Sequence, residues 1–585
     1  MTPKNDTERL VDAALGRMTL DEKIGQCLTQ SWRGAVITPS VVETITRLHA
    51  GGLRIEPYTT EACGRLSYGR KIDTAGFAPP EGYFRPAETY WRIKHPGFHI
   101  EAEEYARRLN RLREIAMERP SGVPLHVCTD FEGDFSHDFP FDGINLFPGN
   151  MGLRAAGGPE RAFEVGRAVA RQLAAIGVDL LHSPVLDVNV NPDNPEIGIR
   201  AFSDDAAVAC EYAVPYLRGL EEGGLVAVAK HFSGRGDSSV DAHDELPLLR
   251  ADRARLDAVE LAPYRACIAA GLRSVMVAHN AYAALDAPDR PASLSKRIVT
   301  GVLREELGFD GVVTTDAMGM GAIARRWGVP VASAMALEAG CDLVLLKFDD
   351  ELRSQTFFEI RRRVLDGRLP EARIDEAVGR ILRLKAGQGL FRNGGRVDAD
   401  RAGGPIRDEA VRGLARRAAE DCLTVLWDRG GLLPVGGRKI LLIEQMIIPE
   451  FLPNNQYHHA HSFSEAVLGH TLNAVPMDTA FAATEDEMKL ALSLAERVEA
   501  VVMTNYYWRI MPENNAKLMR ALRAAGKPVV VVTNNPYPMG APRDADAAVC
   551  TYGVGPESLR AAARLLFGKA ASRGRWPLEH TPAPG

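Results

Sequence analysis

Leu225-Val226-Ala227-Val228-Ala229-Lys230-His231-Phe232-Ser233-Gly234-Arg235-Gly236-Asp237-Ser238-Ser239-Val240-Asp241-Ala242-His243 carries the chain from an apolar run into a polar loop. Five uninterrupted apolar residues are the pattern of a strand buried on both faces of a parallel sheet. The run ends on a cation and an imidazole. A loop expected to be flexible at Gly234 and Gly236 then sets Asp241 two residues before His243. A carboxylate that close can orient an imidazole and tune its affinity for a proton, which suits proton transfer.

The same grammar recurs on both sides. Pro124-Leu125-His126-Val127-Cys128-Thr129 ends at Asp130, and Val178-Asp179-Leu180-Leu181 leads to His182 and then to Asp187. Ser274-Val275-Met276-Val277-Ala278 ends at His279, Gly311-Val312-Val313-Thr314-Thr315 at Asp316, and Asp342-Leu343-Val344-Leu345-Leu346 at Lys347. Between these runs, segments such as 159–176 and 252–270 place apolar residues at helical spacing with charges opposite. Alternating strands and helices imply a parallel sheet. Nearly every run ends in a residue able to do chemistry or to hold a hydroxyl. In a (β/α)8 TIM-like barrel those ends converge on one face, where active sites form. An open doubly wound sheet is the rival, although fewer of its strand ends can meet at one point.

After Gly394-Gly395 the pattern changes. Residues 396–408 are rich in Gly, Pro, Asp and Arg and read as a linker, 409–423 as a helix. The runs Ile440-Leu441-Leu442-Ile443, Ala500-Val501-Val502-Met503, Val529-Val530-Val531-Val532 and Ala547-Ala548-Val549-Cys550 then alternate with helical segments. The expected organisation is a catalytic barrel domain over 1–395, the linker, and a C-terminal α/β sandwich with an open sheet over 409–585. No Gly-x-Gly-x-x-Gly follows its first strand, so no nucleotide site is assigned. Two segments read as insertions. Residues 57–99 hold eight aromatic residues among many Pro and Gly, and suggest a lid over the barrel mouth. His458, His459 and His461 lie close together, but without a carboxylate or thiol partner they do not make a metal site.

Composition narrows the function classes. A chain of 585 residues with 46% hydrophobic content implies at least two globular domains. A formal net charge of −6 gives no reason to expect nucleic acid or an anionic membrane as partner. No apolar run reaches spanning length and no signal-like core follows Met1, so a cytoplasmic protein is expected. The eight cysteines are scattered with no Cys-x-x-Cys pair, and read as reduced thiols.

Several stretches, in shared order, resemble the family 3 glycoside hydrolases, and among them the β-N-acetylglucosaminidase branch. Met18-Thr19-Leu20-Asp21-Glu22-Lys23-Ile24-Gly25-Gln26 resembles the family's opening helix. Pro184-Val185-Leu186-Asp187-Val188-Asn189, followed by Asn194-Pro195-Glu196-Ile197-Gly198-Ile199-Arg200-Ala201-Phe202, is a long match. Lys230-His231-Phe232 through Asp241-Ala242-His243 resembles the branch's Lys-His-Phe-Pro-Gly-His-Gly-Asp loop and Asp-Ser-His. Gly308-Phe309-Asp310-Gly311 through Asp316-Ala317-Met318-Gly319-Met320 resembles the nucleophile strand.

The resemblance implies a retaining glycosidase that needs no cofactor and no metal. Asp316 would be the nucleophile, His243 the acid/base and Asp241 the residue that holds it. Asp130, Arg200, Lys230 and His231 would hold the sugar's hydroxyls. The chemistry agrees: a carboxylate at a strand end can trap an oxocarbenium-like species as a glycosyl-enzyme, and a histidine titrating near pH 6.5 can donate and then accept a proton. The implied partner is a small glycoside or oligosaccharide, by default with terminal β-linked N-acetylglucosamine. Four departures from the family pattern bear on the sugar site. Asp134 stands for a Gly, with no Arg after it; Ser233 stands for Pro and Arg235 for His. A phosphorylase, a retaining glycosidase for another, charged or amino sugar, and a sugar-binding protein that has lost catalysis stay open as alternatives.

Overall fold

The computed structural model describes residues 6–56, 100–134, 136, 138, 144–347, 351–446, 461–507, 513–537, 540, 541 and 543–583. The predicted aromatic lid and two of the three clustered histidines fall outside them. Eight strands close into a parallel barrel in chain order: β1 (Leu28–Arg33), β2 (Gly52–Glu56), β3 (His126–Thr129), β4 (Leu180–Leu181), β5 (Val226–Phe232), β6 (Ser274–Val277), β7 (Val312–Ala317) and β8 (Leu343–Leu346). β8 returns to β1 with Leu28 opposite Val344, which closes the cylinder and removes the open-sheet rival.

Six of the strands coincide with the apolar runs read from the sequence. β1 and β2 were not legible. Their buried faces carry Thr29, Gln30, Ser31, Arg54 and Glu56, all at most 2% exposed, so polar residues break the apolar signature of both strands. β5 is longer than its apolar run and takes in Lys230 and His231. The helices follow local rules. Pro159 opens the helix Pro159–Ile176, whose buried Val165, Val169, Leu173 and Ile176 recur at helical spacing. Asp205 caps Ala206–Glu222 by accepting from the N–H groups of Ala207 and Val208, each at 2.9 Å. Each such fully buried Val, Leu or Ile contributes roughly 1.5–3 kcal/mol relative to exposure.

The second unit is a six-stranded sheet: β9 (Thr424–Asp428), β10 (Ile440–Gln445), β11 (Ala474–Thr479), β12 (Ala500–Thr504), β13 (Val529–Thr533) and β14 (Ala547–Cys550). Its order is β9-β14-β13-β12-β10-β11, parallel except for β9 against β14. The predicted linker lies against the barrel: Asn110 exchanges hydrogen bonds of 2.8 and 3.0 Å with the Val397 backbone, and Asn145 donates to Ile406 O. Among the described residues no helix is long and apolar enough to cross a membrane.

The loops after β3 and β4 meet the ends of the second sheet. Asn189 Nδ2 donates to the Tyr537 hydroxyl at 2.8 Å, and Gly149 N–H to Tyr552 O at 3.0 Å. Asp134 crosses the same boundary. Its carboxylate accepts from Val554 N–H, Gly555 N–H and the Ser558 hydroxyl at 3.1, 2.9 and 2.6 Å, at the start of the helix Pro556–Leu566. Against these three donors, burial pushes its carboxyl up to about 7. The acid expected near the sugar therefore faces the second unit instead. Tyr506 and Tyr507, which follow β12, are both buried.

Candidate active site

The carboxyl ends of the barrel strands bring the predicted residues together. Asp130 follows β3, Lys230 and His231 lie just before the last residue of β5, and Asp316 sits one residue before the end of β7. Arg200 comes from the short 3₁₀ turn Gly198–Arg200, in the long connection after β4. Four of them, Asp130, Arg200, Lys230 and His231, belong to one buried network. Lys230 Nζ lies 2.7 Å from Asp130 Oδ1 and 2.5 Å from Glu132 Oε1. Arg200 grips Glu132 with two parallel contacts, Nε to Oε2 at 2.6 Å and Nη2 to Oε1 at 3.0 Å. Arg54, from β2, reaches Asp130 at 2.5 Å and Asp138 at 2.7 Å. Burial alone would raise the Asp130 carboxyl, but Lys230 and Arg54 more than reverse this and hold it well below the usual range. An ionised carboxylate offers about four acceptor sites, so Asp130 can still take a sugar hydroxyl.

His231 is held in one tautomer. Arg200 Nη2 can only donate, so the ring's Nε2, 3.3 Å away, accepts. The proton is then on Nδ1, which donates to Asp187 Oδ2 at 2.7 Å. Burial, reinforced by Arg235 and Arg200, keeps the imidazole's pKa well below normal and the ring neutral. Asp187 also accepts the Arg235 N–H at 2.8 Å.

Asp316 and His243 are less deeply buried, with side chains 14% and 30% exposed. Asp316 Oδ1 accepts its neighbour's N–H, from Ala317, at 2.7 Å. Its Oδ2 faces Arg235 Nη1 at 3.6 Å. Burial would raise this carboxyl, yet Arg235 leads the opposing charges and the net direction is down, so Asp316 is ionised. His279 stands behind it. Its Nε2 donates to Ala317 O at 3.2 Å, its Nδ1 accepts from Ser293 at 2.8 Å, and burial lowers its pKa to about 4.

The Asp241–His243 pair is formed as the sequence suggests: Nδ1 lies 2.8 Å from Asp241 Oδ1, which also accepts the His243 backbone N–H at 2.8 Å. With Nδ1 turned to carboxylate, Nε2 is the nitrogen that can exchange a proton with a bound oxygen. The pair is pinned to the segment after β7. Gly321 N–H donates to His243 O at 2.9 Å, and a Cβ at Gly321 would come within 2.4 Å of that oxygen. The loop before the pair is not the mobile element expected. Residues 231–236 are buried, and Gly236 lies so close to Val188 O that a Cβ would meet it at 1.7 Å.

Four residues of the site escaped the sequence reading of roles. Glu132 follows Asp130 by two, which was a readable signal; Arg54 lies within a strand that was not legible. Glu196, inside the quoted Asn-Pro-Glu-Ile match, places Oε1 3.2 Å from His243 Nδ1. Arg235, noted only as a departure, is 2% exposed and points into the site. Glu196, Asp241 and His243 each bring a ligand-type atom within 4.8 Å of the others. Two ligands on one ion with bonds of about 2.0–2.2 Å stand roughly 3.3–3.6 Å apart. The 2.8 Å contact between Asp241 and His243 is instead that of a hydrogen bond.

Residues 91–384 match the Glycosyl hydrolase family 3 N terminal domain, and residues 426–583 the Glycosyl hydrolase family 3 C-terminal domain. The chain is 30% identical over 296 residues to Beta-hexosaminidase A of Pseudoalteromonas piscicida, covering 47% of this chain and 50% of that protein. It is 31% identical over 328 residues to Beta-N-acetylglucosaminidase/beta-glucosidase of Cellulomonas fimi, covering 54% of this chain and 57% of the relative. The chain thus spans about half the length of these relatives. Among solved structures, a glycoside hydrolase family 3 beta-N-acetylglucosaminidase from Paenibacillus sp. str. FPU-7 superposes with a TM-score of 0.81 at 27% identity, over 96% of this chain and 99% of that one.

Proposed function

Because the chain belongs to glycosyl hydrolase family 3, we propose that it is a retaining glycoside hydrolase that removes a terminal β-linked sugar, by default N-acetylglucosamine, from a small glycoside or oligosaccharide. Asp316 attacks the anomeric carbon as the bond to the leaving oxygen breaks, and His243 Nε2 gives that oxygen its proton. Water then attacks the same carbon, His243 takes the water's proton, and the Asp316 carboxylate is released. The two charges that must be present at the start are an anionic Asp316 and a protonated His243. Asp130, Arg200, Lys230 and His231, with Glu132 and Arg54 behind them, form a charge-assisted set suited to sugar hydroxyls.

The observation that carries this reading is the convergence of two acid–base systems on one barrel mouth: the Asp241–His243 loop is hydrogen-bonded directly to the segment that follows Asp316, through Gly321. N-acetylglucosamine as the sugar rests on the names of the relatives, beta-hexosaminidase and beta-N-acetylglucosaminidase.

The test is release of nitrophenol from the β-N-acetylglucosaminide and the β-glucoside, each with and without phosphate. Phosphate-independent turnover of the first supports hydrolysis. Phosphate-stimulated turnover with a sugar 1-phosphate as product makes it a phosphorylase. Asp316→Asn should lower kcat at least ~10³-fold while sugar binding persists; an Asn variant with wild-type turnover would remove Asp316 from the mechanism.

A further inference from the structure

Arg235 lies between the two groups that the proposed mechanism uses. Its Nη1 is 3.6 Å from Asp316 Oδ2 and 3.5 Å from Glu196 Oε1. Neither contact is a hydrogen bond, and among the described residues Nη1 and Nε have no hydrogen-bond partner although the side chain is only 2% exposed. Glu196 continues the line. Its Oε1 lies 3.2 Å from His243 Nδ1, and its Oε2 accepts the Ala242 N–H at 3.3 Å. Asp316, Arg235, Glu196 and His243 therefore form an unbroken run of alternating charge from one catalytic candidate to the other.

We propose, resting on the retaining mechanism above, that Glu196 and Arg235 are positioning residues that couple nucleophile and acid/base: Glu196 keeps His243 basic, and Arg235 shifts its pairing between Asp316 and Glu196 as the glycosyl-enzyme forms and breaks. The charges change in step. Before reaction Asp316 is anionic and Arg235 is shared between two carboxylates. When the Asp316–sugar bond forms, that negative charge becomes a neutral ester, and Glu196, with Asp187 on the backbone side, is left against Arg235. In the same step His243 has given away its proton and must next act as a base. Losing the charge on Asp316 makes the ring a weaker base. Two carboxylates on Nδ1, Asp241 and Glu196, oppose that loss. A guanidinium clamped by short hydrogen bonds to Asp316 would have to break them at this moment; one held at 3.5 and 3.6 Å moves without doing so.

Among the described residues, His279, Asp244 and Glu245 are further titratable groups near His243. His279, behind Asp316, is neutral because burial lowers it to about 4. Asp244 and Glu245, on the histidine's own loop, are exposed to solvent and screened. Burial would raise the Glu196 carboxyl, but Arg235 and His243 hold it down, so it carries its charge at neutral pH.

The experiment compares wild type, Glu196→Gln, Arg235→Met and Arg235→Lys by the pH profile of kcat/KM on a β-linked N-acetylglucosamine disaccharide. In parallel, NMR follows titration of the His243 ring. Glu196→Gln keeps the acceptor and removes the charge. Its basic limb and the ring's titration should both move down by about one pH unit or more. Arg235→Met should move the acid limb, set by Asp316, upward by a similar amount, with Arg235→Lys restoring most of the shift. If Glu196→Gln folds poorly, Glu196→Asp should move the ring titration the same way, since it lengthens the contact. A His243 titration unchanged by loss of the Glu196 charge overturns the proposal, whatever the activity. Wild-type turnover by Asp316→Asn would instead overturn the mechanism on which it rests, and the NMR titration separates the two failures because it needs no turnover.

Discussion

The barrel buries charge at both of its ends, and the two ends treat it differently. At the amino ends of the strands, Lys385 Nζ donates to Gln26 Oε1, Gly51 O and Pro124 O at 2.6, 2.7 and 2.7 Å, which satisfies all three of its protons. Asp342, just before β8, takes Arg304, Arg373 and Arg380 at 2.5, 2.8 and 3.4 Å, and the Val313 N–H at 3.0 Å. At the carboxyl ends, Lys230 and Arg200 converge on Asp130 and Glu132, while Arg235 keeps two donors without hydrogen bonds. A buried donor without a partner costs free energy in the empty protein. At the amino end Lys385 and Asp342 tie the strands together, although Arg113 beside Asp179 there also keeps Nε and Nη1 without hydrogen bonds among the described residues; at the carboxyl end the charged groups gather on the mouth that carries the candidate site. That division is the one expected of a barrel enzyme, with stability at one face and chemistry at the other.

The largest effect expected from breaking this contrast is at the chemical face. His243→Ala should lower kcat on a disaccharide by about 10²–10⁴-fold, the range of a general acid–base residue. On a nitrophenyl glycoside the first step should suffer far less, because nitrophenolate leaves without a proton. His243 is a rim residue, so the melting temperature should hardly change. Equal losses on both substrates would show that the substitution disturbs the site as a whole. At the closing face the opposite result is expected. Lys385→Met should cost about 3 kcal/mol in denaturant unfolding, since it strands three buried acceptors, while kcat per folded molecule stays at the wild-type value. A Met variant of normal stability but reduced kcat would make the two ends alike.

The sequence showed the contrast only in part, and the reason is physical. Strands whose buried faces are apolar announced themselves, as β5, β6 and β7 did, and the polar residues at their ends marked where the site would form. β1 and β2 stayed hidden because Gln30, Arg54 and Glu56 are buried inside the barrel, where Arg54 and Glu56 pair with each other and with Asp130, Asp138 and Arg33 from neighbouring segments. Asp130, Arg200, Lys230 and His231 were readable one at a time, with their roles implied by the family resemblance. What joins them was not: Glu132 and Arg54 act through partners distant in sequence, and Glu196 reaches His243 from a loop 47 residues earlier. Arg235 and Asp134 looked equivalent as departures from one pattern. Their side chains part company in space, Arg235 turning into the site and Asp134 away from it.

Asp134 gives the smallest and most discriminating prediction, since it is a third kind of buried charge that closes neither end of the barrel. Its three donors all come from the second unit, at the start of the helix Pro556–Leu566. Asp134→Asn keeps one acceptor oxygen and should lower stability by about 1 kcal/mol near pH 4, where the folded wild-type carboxyl is protonated and the unfolded one about half so. The folded carboxyl titrates near 7 because of burial, and the unfolded one near 4. Between those values the unfolded chain releases a proton that the folded chain keeps. Wild-type stability therefore falls relative to the Asn variant as pH rises from about 4 to about 7, and the gap is constant above that. Unfolding curves at pH 4, 5.5, 7 and 8.5 read this directly. A pH-independent difference would mean that the three donors hold Asp134 ionised in the fold. Turnover and the preference between N-acetylglucosaminide and glucoside should be unchanged in the variant, because the Asp134 carboxylate bonds to the second unit rather than to the network around Asp130. A change in sugar preference would show that the boundary between the two units is part of the sugar site, and would make the second unit, as well as the barrel's carboxyl face, responsible for specificity.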